Sequence, residues 1–201
     1  MELAEDKQWR VRLAIIEYIP LLAKQLGVEF FDERLSGLCM SWLGDCVFSI
    51  REASTLNLKK LAQVFGAQWA QQAILPKVVS MSSHPNYLYR MTTLFAIGEL
   101  SEVLTPPVLV DVALPVIGGL VSDPIPNIRF NVAKTLGMAV PHLLPSHRKV
   151  VEEQIKVFLE KMTQDSDQDV RFFANQSLAS MSFFPPPFLA SPPSHTFSFP
   201  L

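Results

Sequence analysis

The chain has 201 residues, is 49% hydrophobic and carries a formal net charge of −2, so it lacks the basic excess that marks a nucleic-acid binder. No stretch approaches the roughly 18–20 uninterrupted apolar residues of a membrane helix, and two cysteines, Cys39 and Cys46, are too few for a disulfide framework. Few glycines with frequent apolar periodicity favour helix over sheet. The charged N-terminus lacks a signal-peptide core, so the expectation is a soluble cytoplasmic protein, with the nucleus as a further location.

In chain order, the first predicted element is an amphipathic helix over about 6–26, "DKQWRVRLAIIEYIPLLAKQL". Met1 to Glu5 are too short to supply it with a partner helix. A second candidate helix, 31–44, leads to the motif "DCVFSIRE" from Asp45 and another helix. The same order recurs three times: 68–82 before "HPNYLYRM" from His84, 109–122 before "DPIPNIRF" from Asp123, and 150–163 before "DSDQDVRF" from Asp165. Pro76 and Pro115 each lie 14 residues before the Arg of their motif and predict a kink at the same place in two units.

The Arg of each motif gives the period. Arg12, Arg51, Arg90, Arg129 and Arg171 are spaced by 39, 39, 39 and 42 residues, and the three extra residues of the last interval are expected in a connection over 141–149. Other columns keep step. Six before each Arg stand Asp6, Asp45, His84, Asp123 and Asp165. One before, seven after and ten after are apolar in every unit, which is one face of a helix. Two helices per roughly 40 residues is the HEAT/armadillo period, and a two-helix unit favours HEAT. The expected fold is therefore all-α: a right-handed HEAT-repeat α-solenoid of stacked antiparallel helix pairs. It divides into a half repeat over 1–26 and four repeats at about 31–65, 68–104, 109–141 and 150–182. The tail 183–201 has no charged residue, six Pro and five Phe, and reads as extended or disordered.

The acid six before each Arg suits the turn between paired helices, where it accepts from free amides and complements the helix dipole. Stacking should bring the acid of one unit near the Arg of another, giving a ladder of surface pairs worth about 0–1 kcal/mol each. The column three before the Arg holds Trp9, Phe48 and Tyr87, then Pro126 and Gln168. Turns normally carry small polar residues. A row of aromatics along one edge, with Arg10 beside Trp9, is the composition of a protein-binding surface. The competing reading is that each ring folds back onto its own helix pair.

The segments "EDKQWRVRLAIIEYIPLLAKQLGVEFFDERL" (5–35) and "PNYLYRMTTLFAI" (85–97) closely resemble the A-type scaffold subunit of protein phosphatase 2A, and "REASTLNLKKL" (51–61) and "NIRFNVAKTL" (127–136) support this. The likeness covers about 2–182 and falls on the C-terminal HEAT repeats. It implies a non-catalytic scaffold whose intra-repeat turns hold the phosphatase catalytic subunit, with Trp9, Arg10, Phe48 and Tyr87 at gripping positions and Ile125 as a weaker candidate in the fourth turn. Phe48 stands where the family suggests Tyr, which removes a hydroxyl. A regulatory B-type subunit is also implied, although it uses mainly N-terminal repeats that this stretch lacks. The half repeat and the apolar tail raise the alternatives of a truncated isoform that assembles weakly and of a generic HEAT protein-binding module.

No catalytic constellation appears, so an enzyme is not expected. His84, His142, His147 and His195 lack ligand spacing, Cys39 and Cys46 do not form a zinc pair, and no phosphate-binding loop is present. No cofactor, metal, nucleic acid or membrane is implied.

Overall fold

A computed structural model describes residues 2–181; the tail 183–201, expected to be extended or disordered, lies outside the described residues. Every element is helical, and no strand occurs among the described residues. A short 3-10 segment, Glu2–Glu5, precedes α1 (Trp9–Leu26). Then come α2 (Val28–Arg34), α3 (Ser36–Ser41) and α4 (Phe48–Phe65). Next, α5 runs from Ala67–Trp69 through a π-turn, Ala70–Ile74, into Leu75–Ser80, and is followed by α6 (Tyr87–Leu100). The same order gives α7, built from Pro106–Val108, a π-turn Leu109–Ala113 and Leu114–Gly119, and α8 (Pro126–Val150). Last are α9, a π-turn Val151–Ile155 leading into Lys156–Met162, and α10 (Gln168–Met181).

The second helices of the units stack in chain order, α1 on α4, α4 on α6, α6 on α8 and α8 on α10. This is a helical solenoid of the HEAT/armadillo kind. Its core is continuous from Leu43 to Ala174, with a second cluster from Ala4 to Leu61 under the first units. Trp42 ties the first described segment to this cluster, donating its indole N–H to the Ala4 carbonyl at 3.1 Å.

Close approach between neighbouring second helices explains a column of small side chains. Thr135 donates to the Leu94 carbonyl and Ser177 to the Ala133 carbonyl, at 3.2 and 2.9 Å. Gly137 sits in this contact: a Cβ there would meet the Ser177 hydroxyl at 2.6 Å. In α1 the equivalent residue is Tyr18, 63% exposed, and beside it Leu22 is 43% exposed. The apolar column ten after the Arg is thus buried at Leu61, Leu100 and Ala139 but not at Leu22, because no described helix covers that face of α1.

Two expectations about the backbone change. Pro76 and Pro115 each follow a π-turn, which absorbs the lost hydrogen bond by widening the helix. The third π-turn, Val151–Ile155, has the same register but Val157 at the proline position. Position in the repeat, not proline, therefore places the irregularity. The connection expected over 141–149 is also helical. Gly27 and Gly66 end α1 and α4 at φ 84° and 92°. No glycine occupies that place after α8, and the helix runs on to a kink at His147 (φ −129°, ψ 37°). Three extra residues are close to one further turn.

Gly66 pairs φ 92° with ψ 163°, a region essentially reserved for glycine. Gly66→Ala should lower the unfolding free energy by about 1–3 kcal/mol, read by urea titration, whereas Gly37→Ala, in a helix and in open space, should raise it by about 0.4–1 kcal/mol.

Candidate functional site

The turns between paired helices share one geometry. The side chain six before the Arg accepts from the backbone amide two residues on. Asp6 takes the Gln8 amide at 2.7 Å, Asp45 that of Val47 at 2.8 Å, Asp123 that of Ile125 at 2.9 Å and Asp165 that of Asp167 at 2.9 Å. His84 substitutes through Nδ1, which accepts from Asn86 at 3.0 Å. Each acceptor thus ties down the residue just before the second helix, not an amide inside it. This tight turn presents the next residue, at the helix start, outward.

The five arginines close the turns from behind. In every unit Nη1 donates to the carbonyl of the residue six before: Arg12 to Asp6 at 2.6 Å, Arg51 to Asp45 at 2.7 Å, Arg90 to His84 at 2.8 Å, Arg129 to Asp123 at 2.8 Å and Arg171 to Asp165 at 2.7 Å. In three units the rest of the guanidinium reaches the following turn. Arg12 holds Asp45 through Nε and Nη2, both at 3.0 Å. Arg90 holds Asp123 at 2.7 and 3.1 Å, and Arg129 holds Asp165 at 2.7 and 2.8 Å.

These six side chains are only 5–13% exposed. The ladder is therefore not the set of weak surface pairs expected from the spacing. Two-point, charge-assisted bonds at this burial are the strong kind, and removing one partner strands a buried charge. The Arg129 guanidinium holds the Asp165 carboxyl below the usual carboxylate range, against the opposing effect of burial.

Trp9, Phe48 and Tyr87 are each the first residue of a second helix, as are Pro126 and Gln168 in the later units. Trp9 is half-buried, and the exposed Arg10 lies over its ring at 4.6 Å. Phe48 is 48% and Tyr87 38% exposed. Phe48 meets Phe95 of the next unit edge-on, with ring centroids 6.4 Å apart. Ile125 precedes the helix start, half-buried and packed against the core. The row therefore offers three partly open rings and ends where Pro126 and Gln168 take over.

Other features have no single motif in the sequence. Phe48 and Phe95 line a groove of about 290 Å³ with Leu56 and Met138, crossing three second helices; the period-39 columns name these residues only once neighbouring helices are laid side by side. At the far ends of α4 and α6, Lys59 joins Glu99 at 3.3 Å and also Glu102. Cys39 is buried and Cys46 exposed in its turn. Burial pushes the Cys39 thiol up to about 12.

The HEAT repeat family matches residues 74–104. The A-type regulatory subunit of protein phosphatase PP2A from Schizosaccharomyces pombe is 58% identical over 74 residues, covering 37% of this chain and 12% of that protein. Over the matched stretch the chain is similar in sequence to the PP2A A-type regulatory subunits. The Saccharomyces cerevisiae relative is 45% identical over 126 residues, 60% of this chain and 20% of its own length. The chain thus spans a fifth or less of either relative's length. Among solved structures, Cex1p aligns over 90% of this chain and 35% of its own with a TM-score of 0.64 and 12% identity, a likeness of fold alone.

The turn geometry can be tested by removing one charge. Asp165→Asn keeps the turn acceptor but loses the charge, and should cost about 2 kcal/mol at neutral pH. Because the native carboxyl binds its proton less readily than the unfolded one, its contribution is complete above the usual carboxylate range and vanishes as pH falls through the lowered value. Urea titrations of both forms should therefore converge in acid. Separately, a maleimide should label Cys46 in the native chain at neutral pH and Cys39 only on unfolding, checked by peptide mass mapping.

Proposed function

We propose that this chain is a non-catalytic scaffold segment that holds the catalytic subunit of a protein phosphatase along the turns of its stacked helix pairs. The observation that carries the reading is the row Trp9, Phe48 and Tyr87, each at a helix start and each partly open to solvent. The names of the relatives, regulatory subunits of a phosphatase, supply the partner. A regulatory B-type subunit is implied only by the sequence resemblance and uses mainly repeats that this stretch lacks, and the row is not assigned to it.

The mechanism is positional. Neighbouring helices pack about 8–10 Å apart, so the row presents one aromatic anchor per unit at a regular interval. Large rings with few rotatable bonds lose little entropy when covered, and Trp, Tyr and Arg dominate interface energetics. Arg10 adds a cation held over Trp9, giving the first turn both an apolar plate and a charge. Since the arginine ladder fixes the turns behind the row, little reorganisation accompanies binding, and less of the contact energy is lost to ordering.

Trp9→Ala/Tyr87→Ala should weaken capture of the purified phosphatase catalytic subunit by tenfold or more, about 1.4 kcal/mol, at a temperature where circular dichroism shows both forms fully helical. Phe172→Ala, at an exposed ring off the row, should bind like the parent chain. Equal capture by the double variant would remove the row from the interface.

A further inference from the structure

The ladder has one broken rung. Arg12, Arg90 and Arg129 each hold the carboxylate of the next turn, but the residue at the equivalent position of the turn after Arg51 is His84. Arg51 is 4% exposed and donates from Nη1 to the Asp45 and Cys46 carbonyls, at 2.7 and 3.1 Å. Its Nε is buried without an acceptor. Among the described residues no carboxylate pairs with it.

The chemistry of His84 explains the gap. A carboxylate has two oxygens, so Asp45, Asp123 and Asp165 each serve the turn amide and the arginine together. His84 spends Nδ1 on the Asn86 amide. In the tautomer where Nδ1 accepts, Nε2 carries the proton and can only donate, so nothing on the ring can receive Arg51. The ring lies against Tyr89 instead, with centroids 4.0 Å apart. Around it Cys46, Pro85 and Asn86 are exposed, so the rung lies just beneath the turn edge, with the Phe48 ring over the Arg51 guanidinium at 5.8 Å. Phe48 and Tyr87 flank it in the aromatic row.

We propose that Arg51 is an oxyanion-binding site, in which a carboxylate from outside the chain takes the place of the missing acid and completes the rung. The site selects a planar, two-oxygen anion, because Nε and Nη2 form the same fork that grips aspartate at the other rungs. The carboxylate has two sources, a free anion or an acidic side chain of the protein bound along the row. The second source rests on the function proposed above.

Formate is the probe for the site itself. With 15N-labelled protein at constant ionic strength, the Arg51 Nε–H signal should shift saturably on adding formate. A three-heavy-atom ligand cannot bind tighter than about 0.5 mM, so the half-point should lie at or above that. His84→Asn keeps a turn acceptor without charge and should shift as the parent does. His84→Asp supplies the acid internally and should abolish the shift while raising the melting temperature. No saturable shift in the parent, or an equal shift in His84→Asp, overturns the site. A parallel capture assay with the phosphatase catalytic subunit separates the sources. About tenfold weaker capture by His84→Asp assigns the carboxylate to the partner, and equal capture assigns it to a free anion. Failure of the parent to capture the phosphatase, with the formate shift intact, counts against the proposed function and not against the site.

Discussion

In each turn of this molecule a single guanidinium closes the chain on itself, and in three of them it also reaches onward. Nη1 closes its own turn by reaching the carbonyl six residues back, in all five units. Where the next unit supplies an aspartate, Nε and Nη2 hold it in a two-point grip. One side chain therefore sets both the shape of a turn and its distance from the following turn. Apolar packing alone would hold the helix pairs together but would tolerate small slides between them, because burial is non-directional. The fork geometry of arginine does not tolerate such slides. The regularity of the turn edge, and with it the spacing of whatever is displayed there, depends on this interaction.

The display is then a consequence of position. Tying down the residue before each second helix makes the first helical residue the one that faces outward, and in three units that residue is aromatic. The same slot holds Pro126 and Gln168 later in the chain, so the scaffold persists where the display ends. Ladder and row are separable: the turn motif is written in every repeat, the aromatic only in the first three. This separation allows a repeat array to keep one architecture while assigning contact residues to chosen turns.

Much of this is legible in the sequence because the repeat writes each feature several times. The spacing of the arginines points to the architecture, and the acid column points to the partners in the ladder. The strength of the ladder is not legible, since spacing says that Arg90 and Asp123 meet but not that both are nearly buried. Nor is the π-turn before Val157, because the visible signal is proline and the cause is the position in the repeat. The helical run from Pro141 to the kink at His147 reads as a connection because proline and histidine resemble loop composition. Leu22 fits its column in the sequence but lies open in the fold, since burial depends on a neighbour and not on periodicity. His84 is visible as the odd member of the acid column. Its consequence, a buried arginine nitrogen without an acceptor, requires the geometry.

Hydrogen–deuterium exchange on the chain with and without the phosphatase catalytic subunit tests the central claim most directly, because it reads every turn at once. New protection should concentrate at the first three turns, around Trp9, Phe48 and Tyr87, and fade at the turns that present Pro126 and Gln168. Protection spread along the first helices of the units, α5 and α7, with the turn edge unchanged, would contradict it.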